Sequence, residues 1–433
     1  NGLIIGLNKY SHDSAVCVLD WKGGSCLFAG EKERLTRRKH DGGDTADLVS
    51  HALSSIGSSL EDVRLVVSNN HHYRVAPFER RIPWSVAMGT TPESYATAEN
   101  LIPGATHTEL SHHLAHAWST AAIAPFESGL IVVMDGMGEA HGAMSNAETA
   151  VVGLEGERLG TRHQAVEHDR DQEVEYYNDL RLMRELGADE YMAAGADAPG
   201  ECNPHFQQVP AELVPQKAYR EAESAYTFVA GVDGGPPTIT PIYKRWTLER
   251  SPPELYNHGF ENMESLGAVY SRVSSHIFGD WNACGKVMGL APWAAKWPMT
   301  DAPLPPPRLV SGSLLSDGTD GNGFCVNWEA IERLPRPNEL GDKSLRPFYA
   351  ALAAEAQTGL EDAAMGFIAG LKERTGEKNM CLCGGVALNS VLNGKIAREA
   401  GFERVFVPPY PGDEGIAVGC AAFGWHQRKL LLP

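Results

Sequence analysis

No stretch of this chain approaches the ~20 uninterrupted apolar residues needed to cross a bilayer. No C-x-x-C pair occurs among its eight cysteines, and cations are scarce: 37 Lys and Arg stand against 55 Asp and Glu, a formal net charge of −18 over 433 residues. The first absence excludes a membrane-spanning helix. The second removes the zinc ribbon and the thioredoxin-type redox site. The third argues against sequence-independent binding of nucleic acid, whose phosphates are held mainly by clustered Lys and Arg. A single nucleotide needs only a few backbone amides, one or two cations and a metal, so an acidic chain can still bind ATP. A Met start and a basic-plus-apolar leader are also missing, which reads as processing or trimming before Asn1.

The cysteines lie scattered at 17, 26, 202, 284, 325, 381, 383 and 420. Cys17, Cys381, Cys383 and Cys420 sit in apolar stretches, where a reduced thiol behaves as a small hydrophobe. This favours a reducing compartment, a cytoplasm or an organelle lumen. Hydrophobic residues at 43% and charged ones at 21% are ordinary for a globular chain. Its length suits a large two-lobed domain or two to three smaller ones.

Leu3 to Leu7, Ser14 to Leu19 and Cys26 to Ala29 read as a β-meander with a turn at Gly23-Gly24. A helix is expected over Thr45 to Ile56, because Leu48, Val49, Ala52, Leu53 and Ile56 recur at helical spacing, and a strand over Val63 to Ser68. The pattern Leu3-Ile4-Ile5-Gly6-Leu7-Asn8 recurs as Leu130-Ile131-Val132-Val133-Met134-Asp135, with second strands expected at Ala15-Val16 and Gly142-Ala143. Two such strand-loop-strand units facing each other make a cradle for phosphates; two unrelated buried strands are the plainer account. Residues 151–263 show weak periodicity and a turn signal at Asp233-Gly234-Gly235-Pro236-Pro237, so an inserted, loop-rich subdomain is expected there. Helical spacing returns over Ser265 to Phe278, and Pro303 to Pro307 reads as a surface loop. One or two helices span Phe348 to Thr375, and a strand at Asn379 to Cys383 opens into Gly384-Gly385. A last strand follows at Val405 to Val407, and a final helix starts at Pro411 to Gly415. The division expected is 1–150 for a first lobe, 151–263 for the insertion and 264–433 for a second lobe.

His112-His113-Leu114-Ala115-His116 carries two imidazoles four residues apart, one helical turn, which suits one metal ion. The zinc-protease pattern needs Glu after the first His, and His113 stands there instead. Histidines that line a core are the alternative. Asp135 in Asp135-Gly136-Met137-Gly138 and Asp413 in Gly412-Asp413-Glu414-Gly415 are the carboxylates that could join them, since glycine beside a strand-end carboxylate lets phosphate approach. Aspartate near glycine more commonly serves a turn. Gly384, Gly385 and Asn389 resemble a nucleotide clamp, although a plain strand-to-helix turn needs the same glycines. Lys286 in Gly285-Lys286-Val287-Met288-Gly289 suits phosphate or packing equally. Glu33 to Asp41 is a dense basic run, fit for anionic groups or simply a solvated loop.

In this order the motifs resemble the nodulation-type O-carbamoyltransferases: Asn8 to Asp13, Glu33 to Asp41, His-His-x-x-His, Asp135-Gly-x-Gly, Gly-Lys-x-Met-Gly-Leu-Ala, Gly-Gly-Val-Ala-x-Asn and Gly-Asp-Glu-Gly. The resemblance implies a duplicated α/β fold of the actin, hexokinase and heat-shock ATPase (ribonuclease H-like) type, similar to the tRNA threonylcarbamoyl-transferase. It implies transfer of carbamoyl from a carbamoyl-adenylate, made from ATP and carbamoyl phosphate, to a hydroxyl of a small molecule. By the same resemblance His112, His116, Asp135 and Asp413 hold Fe(II), or Mn(II) or Zn(II), which such a donor set also suits. Gly136, Gly138, Lys286, Gly384, Gly385 and Asn389 serve the nucleotide, and His12 and Lys39 the transfer centre. The family's second, YrdC-like domain, which forms the adenylate, is not found within these residues, so a separate partner or domain is expected to supply it. Two other readings remain on the sequence: a phosphotransferase of the same fold, and a nucleotide-binding subunit of a larger assembly.

Overall fold

The computed structural model describes residues 2–8, 13–41, 45–69, 102–139, 219–232, 235–248, 263–297, 306–316, 322–332 and 346–432. The meander is present as β1 (Leu3–Asn8), β2 (Ala15–Asp20) and β3 (Cys26–Glu31), followed by the short α1 (Lys32–Thr36) and by α2 (Ala46–Ser55). Strands β4 (Val63–Asn69) and β5 (Thr106–Glu109) complete a five-stranded sheet in the order β3-β2-β1-β4-β5. Within it β1 to β3 pair antiparallel, whereas β4 lies parallel to β1 and β5 parallel to β4.

After α3 (His112–Ala121) the second copy begins at β6 (Ser128–Met134). It continues with β7 (Tyr219–Val229) and β8 (Thr238–Leu248), both antiparallel, and ends with β11 (Asn379–Cys383) and β12 (Arg404–Phe406), both parallel. The sheet order β12-β11-β6-β7-β8 is the first sheet's order again, strand for strand. The six-residue repeat of β1 in β6 is therefore the visible trace of a duplication, and the fold is the duplicated α/β architecture of the actin and hexokinase ATPases. A small β-pair, β9 (Val310–Ser311) and β10 (Cys325–Val326), lies outside both sheets.

One expected boundary shifts. Strands β7 and β8 fall within 151–263, yet they are the second and third strands of the second sheet, and the Asp233 to Pro237 turn signal lies between them. The strand expected at Gly142-Ala143 lies outside the described residues, and β7 takes the place in the sheet assigned to it. The meander of the second copy is split by sequence, which is why periodicity close to β6 does not reveal it.

Four more helices surround the second sheet: α4 (Leu266–Phe278), α5 (Cys284–Leu290), α6 (Trp328–Glu332) and α7 (Arg346–Thr375). Ser265 caps α4 by accepting from the Ala268 N–H, and Gly279 ends it in the left-handed region at φ +67°. The Ala-rich stretch is one unbroken helix of 30 residues, about 45 Å long at 1.5 Å per residue. Helices α8 (Ser390–Glu399) and α9 (Ile416–Leu431) complete the described chain.

The layers follow from the burial of both sheet faces, which makes β1 and β6 continuous apolar runs instead of alternating ones. Leu3, Ile5 and Leu7 pack on α2, whereas Ile4, between them, faces α3 and α9. Leu130, Val132 and Met134 pack on α4 and α7, whereas Ile131 and Val133 face α3 through Ala117 and Ala121. Helix α3 thus lies between the sheets, with α9 beside it. The contact is close enough to require glycine: a Cβ on Gly6 would stand 2.0 Å from the Ala417 carbonyl oxygen, and one on Gly419 would stand 1.9 Å from that of Ala115.

An alanine in a helix normally gains stability over glycine. Gly366, in α7, has open space where a Cβ would go, and Gly366→Ala is expected to stabilise by about 0.5–1 kcal/mol. Gly419→Ala is expected to have the opposite sign and to cost at least about 2 kcal/mol. Urea denaturation followed by circular dichroism measures both, and a Gly419→Ala protein as stable as wild type would show that the α3 and α9 backbones do not meet there.

Candidate active site and metal centre

Helix α3 enters the space between the sheets with His112 and His116 on one face, their rings edge to face with centroids 4.9 Å apart. Asp135 follows the end of β6, and Asp413 opens the single 3-10 turn before α9. The four side chains converge. His112 Nε2 lies 2.8 Å from Asp135 Oδ2 and 3.5 Å from Asp413 Oδ1, and His116 Nε2 lies 3.5 Å from each of the same two oxygens. All four residues are buried: 0% exposed for both histidines, 7% for Asp135 and 4% for Asp413.

The donor set fits a divalent cation. Four N and O atoms bound at about 2.0–2.2 Å around a tetrahedral centre stand roughly 3.3–3.6 Å from one another, and here one ligand atom from each residue lies within 4.8 Å of the rest. His116 Nδ1 and Nε2 have no hydrogen-bond partner among the described residues although the ring is fully buried, an unusual state for a core histidine. Burial would lower the His112 pKa, but the charge of Asp413 and the hydrogen bond to Asp135 carry it up to about 10. Burial likewise opposes ionisation of Asp135, and the hydrogen bond from His112 together with the nearby His116 imidazole overcomes it, holding its carboxyl well below the usual range. The arrangement is a site of concentrated negative charge whose donor set fits either protons or a metal ion.

The ligands are held by groups that the sequence reading did not single out. His112 Nδ1 lies 3.0 Å from Asn69 Oδ1, and Asn69 Nδ2 donates to the Leu110 carbonyl at 2.8 Å. This leaves His112 Nε2 to face the carboxylates, the usual arrangement behind a metal-bound imidazole. Asn8 Nδ2 reaches the main-chain carbonyls of Asp413 and Asp13, each at 3.1 Å. Asn8 and Asn69 are register partners at the ends of β1 and β4. A buried polar residue closing each of two adjacent apolar strands was the signal available for them.

The glycine loops are tied into the same centre. Asp135 Oδ1 accepts from the Gly136 and Gly385 N–H groups at 2.8 and 3.0 Å. Gly384 adopts φ +89°, and a Cβ there would lie 2.3 Å from the Met134 carbonyl oxygen, so glycine is required twice over. Its N–H donates to the Pro411 carbonyl at 2.7 Å. The Gly138 N–H is used within the protein, donating to the Glu221 carbonyl at 2.8 Å. Asn389 caps α8 by accepting from the Leu392 N–H and exchanges hydrogen bonds with Gln357, whose Oε1 also accepts from the Tyr270 hydroxyl at 2.9 Å. Both ends of the Asn389 carboxamide thus meet the protein's own groups.

Lys286 and Lys39 are not among the residues that form this cluster. Lys286 is exposed on α5 with Nζ 5.5 Å from the Phe278 ring centroid. On the same helix, Met288 touches Ser390 at the start of α8, beside Asn389. Lys39 is exposed on the turn after α1. His12 lies outside the described residues. Its neighbour Asp13 pairs with His40 at 2.9 Å, and Glu33 accepts the His40 N–H at 3.0 Å, so part of the basic run is folded around carboxylates.

Several known proteins are similar to this chain. Residues 3–80 and 332–422 match the family model described as the carbamoyltransferase N-terminus. The first segment brings Asn8 and Asn69, and the second Gly384, Gly385, Asn389 and Asp413. The uncharacterized protein sll1178 of Synechocystis sp. is 23% identical over 464 residues, covering 98% of this chain and 57% of that protein. Nodulation protein NolNO of Sinorhizobium fredii is 23% identical over 436 residues, covering 96% of this chain and 46% of its own length. Nodulation protein U of Rhizobium tropici is 39% identical over 59 residues, 13% of this chain and 10% of that protein. The chain therefore spans about half the length of the first two relatives. Among solved structures, full-length HypF in its phosphate- and nucleotide-bound form aligns with a TM-score of 0.45 at 12% identity, over 99% of this chain and 56% of that one. The family model matches at both ends of the duplicated fold and nodulation proteins are among the relatives, so over these segments the chain is similar to the carbamoyltransferase N-terminus family.

Proposed function

We propose that this chain is the transfer half of an O-carbamoyltransferase, which moves carbamoyl from a carbamoyl-adenylate to a hydroxyl of a small-molecule natural product. The adenylate, formed from ATP and carbamoyl phosphate, is supplied by a YrdC-like activity on a partner chain or on a further domain. The observation that carries the reading is the double use of Asp135. One carboxylate oxygen faces both imidazoles, and the other holds the Gly385 N–H of the nucleotide clamp. A cation at this cluster and a nucleotide at those glycines would share one structural element.

In the reaction the acceptor oxygen attacks the carbamoyl carbon, the bond from that carbon to the adenylate's phosphate oxygen breaks, and AMP leaves with the bridging oxygen. The acceptor's proton goes to a base, a role the family resemblance gives to His12, and a well-placed base contributes about 10²–10⁴-fold. His112, His116, Asp135 and Asp413 would hold a cation, with iron(II) the ion implied by the family, and that cation would supply Lewis-acid stabilisation of the phosphate and of the AMP leaving group. Gly384 and Gly385 let the clamp loop pass close against Met134 and Asp135, and Asn389 sets the start of α8 beside it. Lys39, on an exposed turn, is free of packing constraints and suits the carbamoyl or phosphate oxygens.

Purified protein given carbamoyl-adenylate and iron(II) is expected to release AMP, and His112→Ala to lower that rate at least 100-fold. No AMP from metal-loaded protein, with or without candidate acceptors, would favour a nucleotide-binding subunit instead. The cluster's charge gives a second test. The His112 pKa is raised from 6.5 to about 10, so in the metal-free protein its stabilising proton is fully present below about 6.5 and lost as pH rises through about 10. A metal ion must displace that proton at neutral pH, so metal affinity is expected to rise with pH up to that range. Calorimetric titration in two buffers of different ionisation enthalpy should count at least one proton released per ion near pH 7, and release of none would contradict the proposed ligand set.

A further inference from the structure

The hairpin β7–β8 carries an unusual load of charge. Arg220, Glu221, Glu223, Lys244 and Arg245 are all buried, in residue types that are almost never fully buried unless paired. Glu221 pairs with Lys244, whose Nζ also donates to the Tyr226 hydroxyl at 2.7 Å, and Glu223 pairs with Arg245 at 2.7 Å. Buried ion pairs of this kind are weak devices for stability, since well-packed apolar residues of the same volume often do as well or better. Their position suggests another task.

Glu221 reaches two elements that deliver ligands to the cluster. Its Oε2 accepts from the Glu139 N–H at 2.9 Å, and its main chain exchanges bonds with the same loop, accepting from the Gly138 N–H at 2.8 Å and donating to the Glu139 carbonyl at 3.0 Å. The loop that follows Asp135 is thereby fixed to β7. The same Oε2 lies 3.4 Å from the His113 N–H, in the first turn of α3. The N-cap residue there, Ser111, makes no side-chain cap hydrogen bond. A carboxylate 108 residues away in sequence thus serves the N-terminus of the helix that carries His112 and His116, where negative charge is favoured. The middle histidine of the motif belongs to the same assembly: His113 Nδ1 lies 2.7 Å from Ser224 Oγ, and a Cβ on Gly138 would stand 2.6 Å from its Nε2. The second pair secures the other end of the loop. Glu223 Oε1 accepts from the Leu266 N–H at 2.9 Å, and Ser265 Oγ, at the start of that helix, donates to the Gly136 carbonyl at 2.5 Å.

We propose that Glu221, charge-balanced by Lys244, is a positioning residue for the metal-ligand set, locking the His112/His116 helix to the Asp135 loop so that four donors meet at one point. His113 is the packing counterpart of that lock. The inference rests on the reading of His112, His116, Asp135 and Asp413 as metal ligands. Outer groups of this kind typically change metal affinity by about 10–100-fold when removed.

Cobalt(II) is the probe, because its visible absorption reports coordination geometry independently of turnover. The variant that keeps the fold is Glu221→Met combined with Lys244→Met, which removes both charges and leaves no unpaired ion. Its far-ultraviolet circular dichroism and melting temperature are expected to match or exceed those of wild type, while cobalt(II) binds at least tenfold more weakly with an altered spectrum. Glu221→Gln, which retains a hydrogen-bond acceptor, is expected to recover part of the affinity. Leu48→Ala, in the α2 layer on the far face of the first sheet, supplies a destabilised control that should bind cobalt(II) as wild type does. Wild-type affinity and spectrum in the double variant would overturn the positioning role while leaving the ligand set intact. Wild-type protein that fails to bind cobalt(II) would overturn the metal reading itself, and this inference with it.

Discussion

Two aspartates and two imidazoles packed within hydrogen-bonding range of each other, away from water, are the constraint around which this structure is arranged. Two carboxylates sharing a dry site repel, and each imidazole must keep one nitrogen turned toward them. The surroundings answer both demands with fixed dipoles. Asn69 turns His112, Asn8 holds the Asp413 main chain, and the Gly136 and Gly385 N–H groups neutralise the second oxygen of Asp135. Removal of any of these would leave a buried charge with fewer partners, which is costly in a low-dielectric setting.

The duplication explains how so many elements reach one point. In each copy the central strand, β1 or β6, ends between the sheets and hands over to a loop, and the parallel neighbours β4 and β11 end beside it. Asn8, Asn69, Asp135 and Gly384 are therefore equivalent in kind: each is at or just past the end of one of four central strands. Helix α3 threads between the two sheets and presents its histidines to all four. The two segments that match the family model contain β1, β4 and the 384–413 loops, which are distant in sequence and adjacent in space.

The parts of the site with local signatures were legible in the sequence. The histidine pair has helical spacing, Asp135 stands at the end of a repeated strand among glycines, and Gly384 follows an apolar run. The β1 and β6 repeat exposed the duplication itself. What could not be read depends on partners far away in sequence. Residues 219–248 pair with β6 across a long interval, so they resembled an insertion. Glu221 looks like an ordinary strand glutamate until Lys244 and Glu139 are seen against it. Asn389 has the residue type and setting of a ligand contact, but capping α8 and pairing with Gln357 are its local tasks. Side-chain destinations of this kind follow from tertiary packing, and no window of sequence contains them.

The seat of α9 against Gly6 and Ala115 also orders events during synthesis. The inner face of the first sheet, built from residues near the N-terminus, is covered by residues 416–431, and Asp413 directly precedes them. A ribosome that has made β1 to β5 has produced a sheet with one apolar face uncovered, and it must make about 300 further residues, at ~5–20 per second, before the lid for that face emerges. The early lobe is thus the last to close, and His112, His116 and Asp135 meet Asp413 only at that moment. Assembly of the four-residue cluster is in this sense a terminal step of folding.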